Sequence, residues 1–143
     1  MPFVKNNLNI ESWLRSSHQS FELLDDAEYK KVLNNWKNKF DWNLEHNKYT
    51  SKGENAMIAM ESLLPIGAFI FNFPGYGKLP APANRKEKAY GYHVKSLQII
   101  DRMLFNQSDS IVCDSDFHCT CIYTHEWQGM AAPQYYEKQH DLL

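Results

Sequence analysis

With 143 residues, 43% of them apolar and 14% aromatic, the chain can build one packed domain and is too apolar to remain disordered. Fifteen basic and seventeen acidic residues leave a net charge of −2, which excludes the broad basic field of a nucleic-acid binder. No run approaches the roughly 18 apolar residues of a membrane span, and the opening MPFVKNNLNIESW lacks the apolar core of a secretory leader. A cytoplasmic protein with three reduced thiols is expected, one domain over 1–143 with loose ends at 1–8 and 139–143.

Asn9 can cap a short helix through Ile10, Trp13 and Leu14, broken by the polar run 16–20. Asp25 or Asp26 can cap a stronger helix. Its apolar stripe is Tyr29, Val32, Leu33, Trp36 and Phe40 at spacings of three and four, with Trp42 and Leu44 as an extension. The polar run 46–53 reads as a loop, and 54–64 as a second amphipathic helix stopped by Pro65. Residues 66–73 are the most apolar piece, a central strand. A Pro- and Gly-rich loop over 74–84 follows, then a charged flank at 85–88. Alternating Tyr90, Tyr92 and Val94 make 89–94 a strand that can pair with 66–73. Ser96 is the expected cap of a helix through Leu97, Ile100, Met103 and Leu104. A turn at 129–132 and a last strand at 134–137 close the chain. Strands joined by turns predict an α+β fold, an antiparallel sheet of about five strands with mainly N-terminal helices packed on one face.

The segment 109–126, DSIVCDSDFHCTCIYTHE, holds every cysteine, two of the six histidines and four acids. Ile111 to Cys113 is a short apolar run, and Asp114, Ser115 and Asp116 have turn chemistry. Beyond the turn, Phe117, Cys119, Cys121 and Tyr123 alternate with His118, Thr120, Ile122 and Thr124. Free cysteine packs as a small apolar residue, so the first set is expected in the core and the second partly exposed.

The cysteine and histidine spacing does not match a zinc finger or ribbon, so no metal and no other cofactor is expected. A thiol enzyme would pair Cys113 or Cys121 with His118 or His125. Cys121 and His125 stand more than about 10 Å apart on an extended strand. Gly75, Tyr76, Gly77 and Lys78 lack P-loop spacing and run into prolines. From Ala89 onward three basic residues face seven acidic ones, a surface suited to a basic partner.

From residue 60 to 138 the order of features resembles a family of small, mostly uncharacterised bacterial α+β domains. The matching residues are Asp109, Ile111, Val112, Asp114, Asp116, Phe117 and Thr120, then Thr124-His125-Glu126, then Tyr135-Tyr136. The chain departs from that pattern in lacking a Trp near Cys119 and in having Ala132-Pro133 where members carry Gly-Pro. The resemblance implies an immunity protein of the toxin–antitoxin kind, which binds a toxin and blocks it by protein contact. Asp114, Asp116, His118, Glu126 and Trp127 are the expected partner-binding residues, with no catalytic residue, no nucleic acid and no membrane. The alternatives are a small thiol- or metal-dependent enzyme built on the hairpin 113–125, and a homodimeric interaction module paired through an edge strand such as 134–137.

Overall fold

A computed structural model describes residues 6–40, 49–72, 91–123 and 134–137 of the chain. Helix α1 (Asn6–Ser16) buries Ile10 and Leu14 and half-buries Trp13, one face at helical spacing. It ends in a left-handed residue, His18 at φ 60°, whose N–H bonds Arg15 O while Gln19 N–H reaches Leu14 O. Those two bonds satisfy carbonyls the last turn leaves open. Helix α2 (Asp26–Phe40) starts with a reciprocal cap: Asp25 Oδ1 accepts from Glu28 N at 2.8 Å, and Glu28 Oε1 accepts from Asp25 N at 3.0 Å. Its stripe of Tyr29, Val32, Leu33, Trp36 and Phe40 is buried as expected. The proposed extension through Trp42 and Leu44 lies outside the described residues, as do the segments 74–84, 85–88 and 129–132.

Helix α3 (Gly53–Glu61) buries Ala56, Met57 and Met60 and stops short of Leu64, with turn bonds leading into Pro65. Helix α4 (Arg102–Gln107) starts later than expected. Ser96 lies inside a strand and cannot cap; Asp101 does, its Oδ1 accepting from Leu104 N at 3.1 Å. The helix buries Phe105 and leaves Met103 exposed, so Met103 is not the inward residue its spacing implied. Arg102 grips Glu61 through Nε and Nη2, both at 2.6 Å, tying α4 to α3; this bond is the main cause of its raised pKa.

The strands are β1 (Phe21–Leu24), β2 (Tyr49–Lys52), β3 (Ile66–Asn72), β4 (Gly91–Leu97), β5 (Ser110–Asp114), β6 (Cys119–Ile122) and β7 (Gln134–Glu137). They form one sheet in the order β1-β4-β3-β5-β6-β7-β2, and every pair is antiparallel. The α+β class and the antiparallel sheet match expectation, and β3 to β7 are the five strands anticipated. Two short strands extend it: β1 (FELL) adds to β4, and β2 (YTSK), from a segment read as a loop, adds to β7. The strand at 134–137 therefore has neighbours on both sides and is not an edge; among the described strands the edges are β1 and β2.

Helices cover both faces of the sheet. On one, α1, α3 and α4 pack against Ala68, Ile70, Tyr92, Val94, Leu97, Val112, Cys119, Cys121 and Tyr123. On the other, α2 packs against Leu24, Phe71, Ile111, Cys113 and Ile122. The second face changes the reading of the hairpin. Cys119, Cys121 and Tyr123 share the first core as expected, but Thr120 and Ile122 are buried under α2 rather than partly exposed. Phe117 has a positive φ of 59°, leaves the strand alternation and joins the α2 side. No described helix is long and apolar enough to cross a membrane.

Thr120 is a polar group with no access to water, and its hydroxyl is matched on both sides. It donates to Val112 O at 2.8 Å and accepts from the Trp36 indole N–H at 3.0 Å. Thr120→Val keeps the shape and removes the acceptor, so it should lower stability by about 1–3 kcal/mol, while Trp36→Ala should cost about 3–5 kcal/mol through the cavity it opens. Urea unfolding of the two variants against the parent protein measures both, and a Thr120→Val midpoint equal to the parent's would show that the indole does not depend on this bond.

Candidate functional site

The connection between β5 and β6 is organised by one carboxylate. Asp114 Oδ1 accepts from His118 N at 2.6 Å and Cys119 N at 2.8 Å, and Asp114 O accepts from Phe117 N at 3.0 Å. These bonds hold Phe117 in the left-handed region, which ordinarily costs a non-glycine residue of order 1–3 kcal/mol. The other Asp114 oxygen stands 3.6 Å from His118 Nδ1. Asp116 and His118 are exposed, while the Asp114 side chain keeps only 15% of its surface. Asp114 thus shapes the turn, and Asp116 and His118 are the groups it displays. Glu126 and Trp127, the other two expected contact residues, lie outside the described residues, as does His125.

The turn is also fastened from behind. Ser115 N donates to Gly67 O at 2.8 Å, and the Ser115 hydroxyl shares a hydrogen bond with His93 Nε2 at 3.1 Å. Gly67 permits this approach: a Cβ there would stand 2.9 Å from Ser115 Oγ and 3.2 Å from Lys95 O. The His93 ring is stacked on Phe69 at 4.5 Å and 25°, and Phe69 on Phe117 at 5.5 Å and 27°. Three near-parallel rings from β4, β3 and the turn therefore make one continuous stack. Beside it lies a pocket of about 290 Å3 between the sheet and α2, with Glu22, Glu28, Lys31 and Asn35 on its walls.

This arrangement offers few means for covalent chemistry through sulfur. Cys113, Cys119 and Cys121 are free and buried. Cys113 faces Thr120 across the hairpin rather than His118, and its thiol donates to Asp114 O at 3.3 Å. Cys121 donates to Ala56 O at 3.9 Å. Burial pushes the Cys113 thiol well up and also raises Cys121, so both resist forming the thiolate a nucleophile needs. For a metal, the described residues bring together one ligand atom each from Asp114, Asp116 and His118 within 4.8 Å. One Asp114 oxygen is already taken by two backbone N–H groups.

Turn chemistry marks Asp114 and Asp116 in the sequence; His118 was placed on a strand face with Thr120 and Ile122, which are buried, whereas it lies exposed in the turn before β6. Ser115 was read only as a turn former, and Glu22, Phe69 and His93 were not singled out. The alternation of Tyr92 and Val94 does place His93 on the opposite face, but Glu22 joins it only through β1, a pairing with no local signal. Comparison with protein-family models, with curated proteins and with solved structures returns no match. The resemblance noted over residues 60–138 accordingly rests on its residue pattern alone.

The buried thiols have a measurable consequence. Unfolded, Cys113 and Cys121 release protons near the ordinary value of 9.0, and Tyr123, raised chiefly by burial, near 10.0; folded, all three hold them to higher pH. Above about pH 9 the unfolded chain therefore binds fewer protons than the native one, and stability falls as pH rises; below it these groups add no pH dependence. Urea midpoints should drop above that pH, with a shallower drop in Cys121→Ala. Ellman's reagent should label the thiols in urea and spare Cys113 and Cys121 in the native protein; rapid native labelling at either would contradict their burial.

Proposed function

We propose that this protein is a binding protein of the immunity type, acting in the cytoplasm, that neutralises a toxin by protein–protein contact through the acidic turn 114–118. The observation that carries the reading is an exposed carboxylate displayed on a hydrogen-bonded turn. Asp116 and His118 are displayed to solvent on a turn closed by Asp114 and pinned to β3 and β4 through Ser115. A turn whose backbone is already ordered loses less entropy on binding, and its charge can steer a basic partner. The acidic excess of the sequence from Ala89 onward supports a basic partner. Three free thiols suit a reducing compartment. The thiol-enzyme alternative is less well supported, since it requires a thiolate where burial opposes one.

Co-expression with a toxin whose gene lies beside its own should rescue growth, and equal killing with and without this protein would sink the idea. Asp116→Lys reverses an exposed charge that makes no contact needed for folding. It should slow association with the toxin about tenfold or more at low salt, with the difference shrinking as salt rises. Stopped-flow association at several salt concentrations measures this.

A further inference from the structure

The pocket beside the turn has a chemistry that the acidic turn does not use. Across the α2 face, β-sheet register aligns Glu22, His93, Phe69 and Cys113 in one lateral row over four neighbouring strands. Within that row the His93 and Phe69 rings stack, and Phe117 from the neighbouring turn stacks on Phe69. Phe69 covers one face of the imidazole, and the Ser115 hydroxyl occupies its Nε2 edge. The stack stops at His93 because the next position, on β1, is Glu22, an exposed carboxylate. A ring stack ending beside a carboxylate, in a recess of about 290 Å3, is what a planar cation requires.

We propose that this pocket is the receptor for an arginine side chain of the protein partner, whose guanidinium continues the stack beyond His93 and pairs with Glu22. The inference rests on the protein-binding role proposed above. The size agrees: the recess lies just below the range of about 300–1,000 Å3 typical of small-molecule and cofactor sites, and suits a single long side chain. So does the charge. The walls carry Glu22 and Glu28 against Lys31, a net excess of one negative charge. Glu28 spends one oxygen on the α2 cap, which leaves Glu22 as the principal carboxylate. A guanidinium is favoured over an ammonium because it is planar, weakly hydrated and able to hold a carboxylate with two parallel bonds. Arginine is also enriched among residues that dominate protein interfaces, where it fills pockets of this kind.

The test uses the full-length protein and a minimal probe, N-acetyl-arginine amide, followed by two-dimensional NMR. Saturable shifts should centre on His93, Phe69 and Phe117, and N-acetyl-lysine amide should bind at least fivefold more weakly. Glu22→Gln, a change at an exposed position, should weaken arginine binding about fivefold or more while leaving the rest of the spectrum in place. No saturable shift, equal response to the two amides, binding unchanged in Glu22→Gln, or shifts centred on Asp116 instead would each overturn the proposal. The two readings fail separately. Toxin neutralisation without arginine-amide binding leaves the acidic turn as the contact and removes the pocket, whereas arginine-amide binding without neutralisation keeps the pocket and removes the immunity role.

Discussion

The indole N–H of Trp36 donates to the Thr120 hydroxyl on the α2 face of the sheet, and that hydroxyl donates in turn to Val112 O on the neighbouring strand. This short chain of buried bonds joins a helix to two strands across 84 residues of sequence. Its effect is directional where apolar packing is not. Leu33, Phe40, Phe71 and Ile122 would be equally dry with α2 shifted or turned by several degrees, but an indole N–H in a dry interior must find its acceptor. The edge-on contact of Trp36 with Phe71, centroids 6.3 Å apart, reinforces the same position.

Where α2 sits decides what the sheet exposes. The helix covers Phe71, Ile111, Cys113 and Ile122 and leaves the corner formed by Phe69, His93 and Phe117 half-covered. That corner becomes a recess walled by the same helix. The turn at 114–118 closes its far side, held by Asp114 within the turn and by Ser115 across to Gly67 and His93. The displayed turn and the aromatic recess are therefore linked through one packing arrangement, since Phe117 of the turn packs on the α2 side of the sheet.

The opposite face is more fully covered. There α1, α3 and α4 share one core, and the Arg102–Glu61 pair joins α4 to α3 at its rim. Cys121 and Tyr123 lie inside that core, where burial keeps the thiol and the phenol neutral well above their ordinary range. Cysteine serves here as a small apolar side chain that fits between larger ones.

Much of this was written locally. The stripe of α2 from Tyr29 to Phe40 is a 3.6-residue repeat that any partner surface would bury, and the Asp25–Glu28 cap needs only four residues to form. The five strands from β3 to β7 carry enough β-branched and aromatic residues to declare themselves, and Asp114 to Asp116 had to be a turn. Other features depended on partners distant in sequence. FELL and YTSK became strands because β4 and β7 offered free edges, and pairing there overrides weak local preference. Ser96 had the chemistry of a cap, yet the pairing of Ile66 with Leu97 kept it in a strand. Alternation along 117–124 separated two sides of a strand but could not say that both were dry, since a period of two records opposite faces and not what covers them. The composition and periodicity of the chain thus determined the first three helices, the strands β3 to β7 and which acids lie on a turn. Only tertiary packing decided that α2 crosses to the second face, that Thr120 is a buried acceptor, and that Glu22, His93 and Phe69 share a row, because those facts belong to the register between strands and not to any one of them.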